Sequence, residues 1–262
     1  MNRLSHMVFA FSLFVGLYSL IFAISVWAAF PGQIYDFFFY YFAGGLVVMI
    51  VSVPILYYKA PGKDMAKRTT SNRSSAGALA FVTFCIGTLA GIVVYQFLSG
   101  VAVIGNLSIF IGSIITVAGA LMPDWDIPFL GISRHRNIIF HSAILPLLVV
   151  LMTFINVAQS IVAASSLAVG AHMEYYITAL FLLGYASHLY LDIFPSDANP
   201  LEIIWRAADI TADAPTGIKP LGPIKISKKN ARNWLIGNAT LLVMISLALF
   251  SLYFYNLIIL AP

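Results

Sequence analysis

Four groups of side chains in this 262-residue sequence are able to bind a cation or move a proton. In GYASHLYLD, 184–192, His188 and Asp192 stand four apart, which on a helix puts them on one face, one turn above the other. An imidazole nitrogen and a carboxylate oxygen so spaced suit a shared metal ion; a plain hydrogen bond between them is the structural alternative. In LMPDWDIP, Pro123 disfavours helical backbone at Met122, so Asp124 and Asp126 are expected on extended backbone with both carboxylates on one side. Like charges held that close repel unless a cation lies between them or one keeps a proton. SRHRNIIFHS, 133–142, contributes Arg134, His135, Arg136, His141 and Ser142. Asn137 is expected to cap a helix there, leaving His135 in the loop and His141 in the first turn, where the two imidazoles can converge. The forked guanidinium groups of Arg134 and Arg136 suit a phosphate, or equally an anchoring role at a lipid interface. Ser5 and His6 make the fourth group.

These groups sit in a chain that is 61% apolar and only 9% charged, with mean hydropathy +0.93. A soluble domain carries about a quarter charged residues, so a water-soluble globule is excluded and an all-α, polytopic membrane bundle is expected. Apolar stretches at 7–29, 37–58, 77–98, 101–122, 137–160, 175–194 and 234–260 each match the ~20 residues that cross hydrocarbon. They predict seven spans in a single transmembrane domain, 1–262, with a long proline-rich loop at 195–232 and a short surface helix within it near 200–210. The first run is too long for a signal-peptide core and is expected to remain as an anchor. The single Cys85 excludes a disulfide framework, a CxxC redox pair and a thiolate zinc cluster. The 14 Lys and Arg against 10 Asp and Glu show no nucleic-acid motif, so the basic residues are read for topology. Lys59, Lys63, Lys67, Arg68 and Arg73 crowd the loop after the second span, which the positive-inside rule puts in the cytoplasm. The chain is therefore expected in the cell membrane (inner or plasma), multi-pass, N-terminus cytoplasmic and C-terminus outside. On that topology His6, Asp124, Asp126, His135, His141, His188 and Asp192 gather at the cytoplasmic leaflet, whereas His172 falls on the opposite side. Gly87 and Gly91 form a GxxxG suited to close helix packing.

In these residues the chain resembles the YdjM-type family of predicted inner-membrane metal-dependent hydrolases. Ser5 and His6 resemble that family's amino-terminal element, MPDWD at 122–126 its Pro-Asp-x-Asp segment, RHRNIIFHS at 134–142 its basic stretch ending in His-Ser, and GYASHLYLD at 184–192 its last helix. Phe140 stands where the family has Thr, Asn137 where Gly is common, and SDAN at 196–199 where a Thr and Gly turn is usual. The resemblance implies a metal-dependent hydrolase and attaches no substrate.

Six mixed nitrogen and oxygen groups, Asp124, Asp126, His135, His141, His188 and Asp192, with His6 as the seventh candidate, exceed one tetrahedral zinc site. One or two divalent ions are expected, and zinc, manganese or iron fit such donors better than calcium or magnesium alone. A cation there would bring the pKa of a water toward neutrality, with Asp126 or a histidine such as His135 as acid or base, Arg134 and Arg136 clamping a phosphate, and Ser142 orienting a ligand. The expected partners are the lipid bilayer and a lipid phosphate, phospholipid or soluble phosphoester substrate. Two other functions fit the residues: a transporter for a metal ion or proton-coupled solute, although neither an internal repeat nor midplane ligands are visible, and a noncatalytic scaffold whose polar cluster locks helix ends.

Overall fold

A segment crossing lipid must satisfy its backbone N–H and C=O groups within itself, which favours helix over open strand. In the computed structural model, residues 3–59, 68–100, 109–163, 172–194, 217–220 and 224–259 are described; they are predominantly helical and contain no strand. The helices are α1 (Arg3–Ala29), α2 (Ile34–Lys59), α3 (Arg68–Ser99), α4 (Ile109–Leu121), α5 (Asp126–Leu130), α6 (Ile144–Ala163), α7 (Met173–Leu191) and α8 (Ala231–Ile259). Five of them hold segments long and apolar enough to cross a membrane: His6–Ile24, Pro31–Pro54, Val82–Ser99, Ile144–Ala163 and Ala231–Phe254. The chain is a membrane protein on that ground. Of the two further spans expected from the sequence, α4 is described for 13 residues and α7 for 19. Residues 101–108 of the expected fourth span, Lys63 and Lys67 of the basic loop, and the expected surface helix at 200–210 lie outside the described residues.

The contacts divide the chain into two compact units. In the unit from Phe11 to Ile111, α2 and α3 pack along each other through glycine. A Cβ added at Gly87 would collide with the Gly44 carbonyl oxygen, and one at Gly91 with the Tyr40 carbonyl oxygen. The GxxxG of α3 thus meets Gly44 and Gly45 of α2, backbone against backbone. Phe22, Val26, Phe37, Ile92 and Tyr95 form the core beside that crossing, and the Tyr95 hydroxyl donates to Gln33 Oε1 over 3.0 Å.

The second unit comprises the chain up to Ala10 and the segments that follow Gly112. Its hub is α7, in which 14 of 19 residues are buried, so its polar groups are enclosed by protein. A helix apolar around its circumference belongs in a core. Against one side of α7 lies α4, again through glycine: a Cβ at Gly184 would collide with the Thr116 carbonyl oxygen, and one at Gly119 with the Phe181 carbonyl oxygen. Along α7 also runs α8, with Ser246 Oγ donating to the Ala179 carbonyl over 2.7 Å and the rings of Tyr176 and Tyr253 5.3 Å apart. Thr153 of α6 and Thr178 of α7 share a hydrogen bond of 2.6 Å.

Two local expectations are corrected. Met122–Trp125 is a 3-10 turn running into α5, not extended backbone. Pro123 sits in the first turn, where its missing N–H and fixed φ cost nothing. The helix predicted from residue 137 begins only at Ile144. Asn137 instead closes a turn, its Oδ1 accepting from Ile139 N–H over 3.0 Å and its carbonyl from His141 N–H over 2.9 Å. A side-chain acceptor competes with the helical ladder for nearby N–H groups, and here it wins.

Replacing Gly91 with Leu, which forces a branched side chain into a backbone contact, is expected to destabilise the detergent-solubilised protein by about 1–3 kcal/mol. Thermal unfolding followed by circular dichroism would detect that loss.

Candidate metal centre

Three segments of the second unit and the start of α1 supply the polar groups, and packing brings them together. The close crossing of α4 and α7 at Gly119 and Gly184 sets the His188 ring against the end of α4, where His188 Nδ1 lies 2.6 Å from the Ala120 carbonyl oxygen. A carbonyl can only accept, so Nδ1 carries the proton and Nε2 presents a lone pair. That Nε2 is 3.9 Å from Asp124 Oδ1 and 3.6 Å from Asp192 Oδ2. His6, one turn into α1, stacks on His188 with ring centroids 3.8 Å apart and points Nε2 at Asp192 Oδ1 over 3.6 Å.

The turn at 137–143 delivers the other half. Asp126 is fully buried; its Oδ2 accepts from Asn137 N–H over 3.1 Å, and its Oδ1 meets His135 Nδ1 at 3.0 Å. His141, also fully buried, reaches Asp126 Oδ2 with Nδ1 at 3.5 Å and Asp192 Oδ2 with Nε2 at 3.2 Å. His135 Nε2 is 4.0 Å from Asp124 Oδ1. Arg136 takes a left-handed backbone conformation, φ 65°, unusual for a residue with a Cβ, and its buried guanidinium donates to Asp192 Oδ1 over 3.2 Å. The strained residue is clamped from outside: Lys219 N–H donates to the Arg136 carbonyl over 2.9 Å and Ile138 N–H to the Lys219 carbonyl over 3.2 Å.

The structure therefore assembles His6, Asp124, Asp126, His135, Arg136, His141, His188 and Asp192. Arg134 is exposed on a 3-10 turn and is not among them. Ser142 does not point at the cluster's donors; its Oγ donates to the Ile139 carbonyl and accepts from Ile144 N–H at the start of α6. His172 is at the far end of α7, about 24 Å of helix from His188, and lies 3.9 Å from Glu174 Oε2. The residues that brace the cluster carry no chemical signature of their own in the sequence. The Tyr185 hydroxyl donates to the Phe140 carbonyl, Trp234 Nε1 to the His141 carbonyl over 3.0 Å, and Ala143 N–H to Asn238 Oδ1 over 2.8 Å. Tyr185 lies inside the motif already noted, next to Gly184; Trp234 and Asn238 lie about 90 residues from their partners, and no local pattern marks them.

Of the seven buried side-chain nitrogen and oxygen atoms without a hydrogen-bond partner among the described residues, five lie here: His6 Nδ1, both ring nitrogens of His141, His188 Nε2 and Asp192 Oδ2; the other two are Ser19 Oγ and His172 Nε2. His141 Nε2 and Asp192 Oδ2 are within ion-pair distance yet not aligned for a hydrogen bond. Buried polar atoms are normally satisfied, so this concentration at one place calls for a further ligand. The donor atoms form three groups, each with its atoms within 4.8 Å of one another: His6, His188, Asp192; Asp124, His141, His188; and Asp126, His135, His141. Imidazole and carboxylate in that proximity fit a divalent transition-metal ion.

Electrostatics at the more open side of the cluster are set by the His135–Asp126 pair. The hydrogen bond to Asp126 raises the pKa of His135, against the burial that opposes it. Burial pushes Asp126 up, but the hydrogen bonds from His135 and Asn137 N–H overcome it and hold the carboxyl below its ordinary value. With no metal bound, the raised His135 stabilises the fold below the unfolded imidazole pKa of ~6.5, and that contribution disappears as pH rises through the folded value. The depressed Asp126 stabilises it above the unfolded carboxyl pKa of ~3.9, and this disappears as pH falls through the folded value. The pair therefore contributes most between about pH 4 and 6.5. Chelator-treated protein should lose more stability on Asp126→Asn in that window than at pH 9, as read from thermal unfolding at each pH.

No family model, no curated protein and no solved structure matches this chain.

Proposed function

We propose that this protein is a membrane-embedded, metal-dependent hydrolase that cleaves a phosphoester, a lipid phosphate or a phospholipid, at the cytoplasmic leaflet of the cell membrane. The observation that carries this reading is the set of buried nitrogen and oxygen atoms of His6, His141, His188 and Asp192 left without hydrogen-bond partners in one cluster. The resemblance to the YdjM-type family points the same way. In this reading α4 and α7 complete a seven-span topology with the N-terminus in the cytoplasm, which sets the cluster at headgroup depth.

His6, His188 and Asp192 would hold one divalent ion, and Asp126, His135 and His141 a second; the two triads share no residue. Asp124, near both His135 and His188, is placed between them. Zinc, manganese or iron suits such donors. When bound, the ions supply Lewis acidity toward a phosphoryl oxygen and a water. The chain's own groups prepare the rest. Ala120 fixes the His188 tautomer, and Asp126 fixes that of His135, so each ring keeps a lone pair at Nε2 for a ligand or a proton. Three carboxylates against the Arg136 guanidinium leave two net negative charges, so two divalent ions would invert the sign and favour a phosphate dianion. Enclosure by α7 and the 137–143 turn limits water around these charges and strengthens their interactions.

Elemental analysis of purified wild type beside Asp124→Ala and His188→Ala, paired with phosphate release from lipid phosphates, tests the proposal. One or two ions per chain are expected in wild type. Both variants should lose metal and lose activity by more than the 10–100-fold typical of removing a ligand's outer partner. Absence of metal from wild type, or full retention in both variants, overturns the reading; bound metal without turnover leads instead to metal transport. A separate expectation concerns the close crossing. Gly184→Val should push α4 from α7, break the His188–Ala120 contact and lower metal content while the protein still extracts as a monodisperse species, checked by size-exclusion chromatography with metal analysis.

A further inference from the structure

Between α4 and the histidine-bearing turn lies an element whose outer, apolar face takes no part in the candidate metal centre. The five residues of α5 and the 3-10 turns on either side of it are too short to cross a bilayer, yet they expose large apolar side chains: Trp125 at 50%, Phe129 at 69% and Ile132 at 78%, with Leu130 beside them. The same turns bury Asp124 and Asp126 toward the cluster, so the element is two-faced. Its outer face is continuous, with the Trp125 and Phe129 rings 6.3 Å apart and Phe129 stacked on Phe140 at 6.3 Å. Within 125–134 the acid is the buried Asp126, and the charge on the outer side is the exposed Arg134.

We infer that residues 125–134 lie in the headgroup layer and dock an anionic phospholipid, with Trp125, Phe129 and Ile132 against its acyl chains and Arg134 on its phosphate. An exposed apolar face, an indole and a cation on a short non-spanning segment are the composition of an element lying in a membrane interface. The position agrees, because the element leaves directly from the apolar helix α4. A second copy of the chain is a poorer occupant. A two-fold contact through this patch would bring Arg134 toward its own copy, with no exposed acid in 125–134 to answer it. Arg134 directly precedes His135, whose Nδ1 meets Asp126 Oδ1 at 3.0 Å, so a lipid phosphate on Arg134 is held one residue along the chain from the cluster; this deepens the hydrolase proposal, and the substrate assignment rests on it.

Full-length protein carrying Cys85→Ala, with a nitroxide introduced at Phe129→Cys or separately at Ile132→Cys, is reconstituted in vesicles of phosphatidylcholine and phosphatidylglycerol. Power-saturation spectra with oxygen and with a water-soluble nickel chelate report the surroundings of each label. Both labels should favour oxygen over nickel. Nickel preference at both, or shielding from both reagents, means water or a protein partner covers the face and overturns the inference. In wild type, spin-labelled phosphatidylglycerol should be immobilised in preference to phosphatidylcholine, and Arg134→Gln should reduce that preference about fivefold; an unchanged preference also overturns it. Metal content of the labelled proteins separates the two proposals. Metal retained with water-exposed labels removes only the lipid-docking surface, and oxygen-favouring labels without metal remove only the hydrolase.

Discussion

A carboxylate taken out of water must find compensating charge or donors, and Asp192 is almost wholly buried. It meets that requirement by gathering His6 from α1, Arg136 and His141 from the connection between α5 and α6, and His188 from its own helix. Asp126 imposes the same demand on His135, His141 and the Asn137 N–H. Much of the second unit can be understood as the scaffold that brings these partners to two buried acids. The strained backbone at Arg136 belongs to that account: the left-handed turn is held by Lys219, and the guanidinium it carries is paired with Asp192.

The scaffold works through small residues and through braces. Gly119 and Gly184 let α4 and α7 approach until a main-chain carbonyl of one helix meets an imidazole of the other. A side chain at either place would collide with the facing main-chain carbonyl. On the opposite side, Trp234 and Asn238 of α8 take up the His141 carbonyl and the Ala143 N–H, polar groups that an irregular turn would otherwise leave buried and unmet. The candidate metal centre is thus assembled from turns and helix ends, each fixed by a contact with a regular helix.

A cluster of buried acids and imidazoles can serve as a lock between helices, so the nature of its contacts matters. A lock should pair its members with one another. Here His135–Asp126 and Arg136–Asp192 are aligned hydrogen bonds, while His6, His141 and His188 come within 3.2–3.6 Å of Asp192 with ring nitrogens still unsatisfied. Donors that converge without bonding to each other favour a shared ion over a lock. The reading of a hydrolase builds on that preference and on the acidic, partly neutralised surroundings of the cluster.

The sequence by itself determined the helical membrane class, because 61% apolar residues in long runs leave the backbone no alternative to internal hydrogen bonding. It also marked the chemically able residues, since ionisable groups are rare enough in such a chain to stand out, and the four-residue spacing of His188 and Asp192 already implied a common face. Local rules failed where local forces were nearly balanced. Pro123 was compatible with a 3-10 turn as well as with extended chain, and Asn137 could cap a helix or close a turn. Only the tertiary structure separated buried Arg136 from exposed Arg134, brought His6 to Asp192, 186 positions further along the chain, and engaged Trp234 and Asn238 as braces. Those outcomes depend on which helices touch and how closely, a property of glycine contacts distant in sequence, and nothing in the local pattern of residues encodes them.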